Sequence, residues 1–304
     1  MSAPALHRVT LRGVLAIAGA SLALASMAVL ARSTSGRLPL GELLFLRFAV
    51  GLPPVMAAFA VQRRLPNFRH PRLLAARGAL GGVSVACYFL CIELLPVGPA
   101  TLLNNTYPAW ATLSAAWFLG ERFRPRRAAG MLLAMGGAAI VVADAVARQR
   151  WGLGVGVTAG LLSAVLAGGA LTTMRALRAD TDALSVLFSF TLVGLIVSAP
   201  LASLEWRPLG GDLLWTSVGV GLLSVVGQFL LSYGYKFVPV SVGSTTGLLT
   251  TVFSWTLGAL WLGEGITLQA LVGAAICAAG VLFAARDAAP ASPDRGAEPG
   301  PAPA

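Results

Sequence analysis

Apolar residues run along this chain in long blocks nearly free of charge, separated by short stretches that carry arginine, proline and glycine. Ten such blocks fall at about 13–31, 42–61, 73–93, 98–119, 127–143, 152–174, 183–204, 213–235, 240–262 and 267–285. A hydrocarbon layer about 30 Å thick takes roughly 20 apolar residues to cross as a helix. The pattern therefore predicts an all-α integral membrane protein with ten transmembrane helices. The fifth block is short, but Arg126 and Arg127 can snorkel to the interface from its first turn.

Composition sharpens the exclusion. Of 304 residues, 57% are hydrophobic and 11% charged, whereas a soluble domain carries about 25% charge. So little polar surface cannot cover a water-facing fold, which rules out a soluble enzyme. The first block, preceded by Arg8 and Arg12, continues into nine more and is expected to be retained rather than cleaved as a signal. Residues 287–304, rich in Pro, Ala and charge, are expected to form a disordered tail.

A net charge of +10 would suggest nucleic acid in a soluble protein. Here the basic residues sit mainly between apolar blocks and act as topology signals, so no nucleic-acid partner is expected. With the N-terminus cytoplasmic, sixteen of the 22 Lys and Arg fall inside and five outside, leaving Arg47 within a span. Both termini are expected in the cytoplasm, in the cell (inner) membrane.

The chain repeats itself at an offset of 143 residues. Pro96, Val97, Leu119, Gly120, Glu121, Gly130 and Gly137 fall on Pro239, Val240, Leu262, Gly263, Glu264, Gly273 and Gly280 without a gap. Each copy holds five blocks. Because five is odd, the second copy enters the membrane from the opposite side, giving two inverted five-helix repeats. The expected organisation is a tail at 1–10, a first repeat at 11–143, a linker at 144–151, a second repeat at 152–286 and the tail at 287–304.

Leu119-Gly120-Glu121 and Leu262-Gly263-Glu264, each closing the fourth span of its repeat, together with Leu46-Arg47-Phe48 in the second span, resemble the EamA-type transporters of the drug/metabolite transporter superfamily. The resemblance covers residues 11–286 and marks Glu121 and Glu264 as motif positions. It implies a ten-helix carrier with a central cavity between pseudosymmetric halves, moving small metabolites such as amino acids, often outward. Smaller four-helix relatives export lipophilic cations through a glutamate in their first helix. Gly13 to Ala31 contains no acid, so that mechanism is not expected here.

Several residues could line such a cavity. Thr101, Asn105, Pro108 and Thr112 recur at i, i+4, i+7 and i+11 in the fourth block, and Pro108 removes the amide that would pair with the carbonyl of Asn104. Ser244, Thr251 and Trp255 stand at matching positions of the ninth. Tyr88 and Gln228 are further polar groups within spans, and Tyr233 and Tyr235 fit either a cavity or an interfacial belt. The competing reading for each is structural hydrogen bonding between helices. Arg47, the ionisable group deepest in a span, and Glu42 are candidates for gating or charge pairing, although the two, five residues apart, lie on different helix faces and make a poor intrahelical pair.

Small residues four apart, Gly78 and Gly82, Gly152, Gly156 and Gly160, and Gly243 and Gly247, predict close helix seams. Cys87, Cys91 and Cys277 lie in apolar blocks without histidine neighbours, so no metal site or other cofactor is expected. No motif for a hydrolase, metalloenzyme or phosphate loop is present. The function expected is secondary transport, export in particular, of small polar metabolites by alternating access. The alternative is a membrane-embedded lipid-modifying enzyme. The expected partners are a small-molecule substrate and the bilayer, and homo-oligomeric assembly is compatible with both readings.

Overall fold

The computed structural model describes residues 3–118, 125–148, 153–177, 180–235, 237–238, 243 and 246–286. Every regular element among them is a helix: α1 (Ala3–Ser33), α2 (Leu40–Val61), α3 (Pro71–Leu94), α4 (Val97–Asn104), α5 (Tyr107–Phe118), α6 (Pro125–Arg148), α7 (Leu153–Leu177), α8 (Ala183–Leu204), α9 (Gly211–Gly234), α10 (Leu249–Leu262) and α11 (Leu268–Arg286). Six of them, α1, α2, α3, α7, α8 and α9, are long and apolar enough to cross a membrane. Shorter apolar helical stretches occur at Ala129–Val141, Leu249–Leu262 and Leu268–Gly280. The protein is multi-pass.

The helices differ from the apolar blocks in instructive ways. α1 begins at Ala3 and α6 continues to Arg148, beyond the span ends. The fourth block is not one helix: α4 and α5 are separated at Asn105 and Thr106.

Helix pairing follows the repeat. α1 packs on α9 as α7 packs on α3, α5 on α7 as α10 on α1, and α3 on α8 as α9 on α2. Two pairs are their own counterparts: α2 with α8, and α6 with α11. Exchanging the halves thus maps the contact pattern onto itself, as a pseudo-twofold axis requires.

Lipid offers no hydrophobic drive for helices to associate, so their seams depend on close packing. At the seam of α6 and α11, a Cβ on Gly137 would meet the backbone of Gly273 and Cys277, and one on Gly280 would meet that of Gly130 and Ala134. The recurring glycines at the 143-residue offset are therefore backbone contacts across the halves. Gly78 and Gly82 seat α3 against Val193 and Gly194 of α8, while Gly156 and Gly160 seat α7 against α3 and α4. Gly243 meets Tyr235, but Gly247 faces open space instead of a seam. Gly152 lies outside the described residues. The three cysteines are free thiols, Cys91 and Cys277 fully buried.

The second-span helices of both repeats hold loops of the other half. Glu42 Oε2 accepts the Arg207 amide at 3.0 Å. At the matching place on α8, Ser185 Oγ accepts the Asn67 amide at 2.9 Å, and Asp182 caps the helix through the amides of Leu184 and Ser185. Glu42 turns its carboxylate to the loop after α8, and no ion pair between it and Arg47 is present among the described residues.

Adding a methyl group at Gly137 forces backbone to move, whereas Gly136 has nothing within 4 Å. Gly137→Ala should lower stability by about 1–3 kcal/mol, the usual range for overpacking, and Gly136→Ala should not. Thermal unfolding of the two purified variants in detergent checks this, and equal midpoints would contradict the seam.

Candidate functional site

The break between α4 and α5 brings polar groups to the centre of the molecule. Asn104 and Asn105 stand at the end of α4, and Pro108 occupies the first turn of α5, where its missing amide costs nothing. In the other half, Leu248 is a turn residue ahead of α10. It lies 143 positions after Asn105, so both halves interrupt the same helix at the same place.

Two of the interrupted segments cross here. Thr101 Oγ1 donates to Ser254 Oγ at 3.1 Å, and Asn105 Nδ2 donates to Thr251 Oγ1 at 2.7 Å, joining α4 to α10. Tyr88 Oη lies 2.7 Å from Thr101 Oγ1. Beside them, Asn104 Nδ2 donates to Ser163 Oγ at 2.5 Å, and Ser84 Oγ donates to the Ser163 carbonyl at 2.8 Å. Polar groups withdrawn from lipid thus find partners among α3, α4, α7 and α10.

A cavity of about 570 Å³ opens against this network. Helices of both halves wall it, with Tyr88, Thr101, Asn104, Asn105 and Gln228 on its polar side. Ala167, Ala170, Leu171, Val186, Leu187 and Phe190 make the apolar side. Such a volume suits a ligand of metabolite to drug size. Arg47 enters from α2 and Arg77 from α3.

The cavity is polarised along the bundle. One end reaches Arg77, Met174, Thr181, Ala183 and Tyr235, at the helix ends where α3 starts, α7 finishes, α8 starts and α9 finishes. The other end stops short of a cross-half closure. There Gly263, at φ +65°, ends α10 in the left-handed conformation that favours glycine. The turn folds Glu264 back over Gly258, where a Cβ would meet Glu264 Oε2 at 2.7 Å. Its carboxylate accepts the Val97 amide at 2.9 and 3.1 Å, the first amide of α4. Arg32 Nε stands 3.9 Å from it, and Arg32 Nη1 also donates to the carbonyls of Ile92, at 2.8 Å, and Glu93. Behind this closure the Trp255 indole occupies the space a Cβ on Gly98 would need.

Burial raises the Glu264 carboxyl above its ordinary pKa, opposed in part by the Val97 amide, Arg32 and the Gly98 amide.

A family model, the EamA-like transporter family, matches residues 11–143 and again 154–286. This chain belongs to the EamA-like transporter family. The two matches meet the two halves that the helix pairing relates. The chain is 28% identical to the pseudopaline exporter of Pseudomonas aeruginosa over 83% of this chain and 88% of that protein. It is 31% identical to a probable terminal-alkyne amino-acid exporter of Streptantibioticus cattleyicolor over 75% of this chain and 77% of the relative. A solved crystal structure at 22% identity covers 93% of this chain and 97% of its own with a TM-score of 0.63, which shows a shared fold alone.

Within this EamA fold, the residues singled out from sequence divide into three groups. Tyr88, Thr101, Asn104, Asn105, Gln228 and Arg47 are brought to one cavity. Thr251 is buried behind it, bonded to Asn105, while Trp255 packs on Gly98 and Glu42 holds a loop. Ser244 and Glu121 lie outside the described residues, as does the side chain of Thr112. Tyr235 lines the cavity, whereas Tyr233 is exposed and stacks on Phe229.

Sequence reasoning missed Arg77, Ser84, Ser163 and Ser254. A signal for the first two was present: Arg77, Gly81, Ser84 and Tyr88 recur at i, i+4, i+7 and i+11 and all line the cavity.

Thr101 joins two partners, so Thr101→Val should strand both Tyr88 and Ser254. The expected cost is about 1–3 kcal/mol of stability, with Thr101→Ser close to wild type, read as midpoints of denaturant or thermal unfolding. A valine variant as stable as the serine one would remove Thr101 from the network.

Proposed function

We propose that this protein is a secondary carrier that exports small polar metabolites such as amino acids by alternating access. The observation that carries the reading is a cavity walled by both halves, with a bond between the halves beyond one end and helix ends at the other. Ten transmembrane helices make the bundle, with α4 and α5 together forming the fourth. Both chain ends face the cytoplasm of a cell whose inner membrane holds the protein. In that orientation the Arg77 end faces inward and the Glu264 closure outward, so the conformation is open to the cytoplasm.

Asn104, Asn105, Tyr88, Thr101 and Gln228 replace the water that a polar substrate sheds on entering, while the α7 and α8 wall receives its apolar part. Rocking one repeat against the other releases Glu264 from Val97 and opens the outer side. Glu121 and Val240 are the counterparts of Glu264 and Val97 in the sequence repeat. Two relatives named as exporters support outward movement.

Reconstituted in liposomes, the protein should show counterflow of an unmodified solute. Asn105→Ala and Gln228→Ala should slow it at least about tenfold, the equivalent of one lost hydrogen bond to a charged or polar substrate, while the proteins still insert. A chemically altered lipid product would favour the enzyme instead, and wild-type rates in both variants would overturn the lining.

The outer closure should also respond to pH. With its pKa raised in the closed state and ordinary once solvated, Glu264 binds a proton more tightly when closed. The extra stability of closure is therefore fully present below the ordinary carboxylate pKa and is lost as pH rises through the raised one. Labelling of Val97→Cys, in a background without Cys87, Cys91 and Cys277, by a membrane-impermeant outside reagent should increase with pH. Glu264→Gln should flatten that dependence; an unchanged profile would exclude Glu264 as its source.

A further inference from the structure

The cavity contains two arginines and, among the described residues that line it, no aspartate or glutamate. Arg47 is 2% exposed, and its Nε and Nη1 are buried without a hydrogen-bond partner among the described residues. Arg77 Nε is buried and unpartnered in the same way. Neither forms an ion pair with a described carboxylate. Their neighbours are rings: the Arg47 guanidinium carbon lies 4.7 Å from the Phe48 centroid, 5.6 Å from Phe89 and 5.8 Å from Phe190. Arg77 lies 4.9 Å from the Phe190 centroid.

One aromatic ring is thus shared by two cations. The cations can be no farther apart than the sum of their distances to it, and they sit at different depths, Arg47 beside Phe89 and the Arg77 guanidinium beside Gly81, about two helical turns earlier on α3. Attraction to a ring face is weak beside the cost of stripping water from a guanidinium. Arginines that line a cavity while their buried donors lack a partner are suited to acceptors brought from outside the chain. A guanidinium fits a carboxylate with parallel hydrogen bonds.

We infer that the occupant of this cavity is an elongated dianion, a metabolite with two carboxylates separated by an apolar stretch. Arg47 takes the deep carboxylate, Arg77 the one nearer the mouth, and Phe190 lies against the stretch between them. This deepens the transport reading and rests on it for the cavity's being a substrate site.

The test uses the full-length protein in detergent and a probe series: the unbranched dicarboxylates from succinate to suberate, hexanoate, dimethyl adipate and 1,6-diaminohexane. At least one dicarboxylate should raise the unfolding midpoint, with hexanoate requiring about tenfold more for half-effect, the weight of one charged hydrogen-bonding contact. The ester and the diamine should have no effect. Arg47→Gln and Arg77→Gln should each reduce the dicarboxylate to the hexanoate level, and Arg69→Gln, whose side chain is 70% exposed, should leave it unchanged.

Equal responses to ester or diamine, or no response to any dicarboxylate, would overturn the inference, and this comparison stands on wild-type protein even where an arginine variant fails to fold. Unchanged affinity in the two glutamine variants would overturn it as well. Counterflow of the same dicarboxylate in liposomes separates the two readings. Binding without counterflow sustains the dianion site and sinks the carrier, while counterflow of neutral amino acids without dicarboxylate binding sustains the carrier and sinks the dianion site.

Discussion

The first amide of α4 has no partner within its own helix, because every helix begins with donors that no preceding turn can satisfy. In water such a donor is solvated; at the end of a helix buried between others it is not. Val97 finds its acceptor in Glu264, 167 residues later and in the other half of the chain. That bond needs Pro-Val at the start of one half's fourth helix and Leu-Gly-Glu at the end of the other half's. Gly263 supplies the left-handed turn, Glu264 the carboxylate, and Arg32 a compensating charge. The two recurring motifs are thus the two ends of a single contact, and the closed side of the cavity depends on it.

Much of the fold could be read from the spacing of apolar blocks and from the 143-residue offset, since both report on constraints that act all along a chain in lipid. The offset foretells even the backbone contacts of Gly137 with Gly273 and of Gly280 with Gly130. The break at Asn105 and Thr106 was less legible, because its residues sit inside an unbroken apolar block and Pro108 is tolerated in a helix's first turn as readily as it ends one. The candidate site was legible on one side only. Matching Trp255 to Thr112 through the repeat treats the halves as equal, but a molecule open at one end has broken its own symmetry. Trp255 is folded against Gly98 on the closed side, while Gln228 and Tyr235 face the cavity at the other. Arg77 was hidden for a different reason: a basic residue near a helix end reads as a topology signal, and only its register with Tyr88 reveals the face it shares.

Energetics explain why Arg47 calls for an account at all. The effective cost of withdrawing an ion from water is several kcal/mol. A desolvated cation over an aromatic face recovers about 2 kcal/mol or somewhat more. Phe48, Phe89 and Phe190 together soften the cost without removing it, and Glu42, the acid nearest in sequence, is committed to the Arg207 amide. A buried guanidinium in this state is held at the expense of stability, the general signature of a group kept for what it meets rather than for what it packs against.

In the proposed alternating-access cycle, the parts of the bundle that move are distinct from the part that holds. α6 and α11 supply none of the described residues that line the cavity, and at their seam glycines of both helices meet the partner's backbone. All the other helices contribute to the lining. A backbone contact has no rotamers with which to absorb displacement, so this pair can rotate only as a unit or serve as the pivot. Seams of side chain against backbone, such as Gly98 with Trp255 or Gly194 with Phe48, can yield by a rotamer change. Because α6 pairs with α11 across the pseudo-twofold relation, a pivot there looks the same from either membrane face. One fixed seam can then serve both opening motions, with Glu264 fastening one of them.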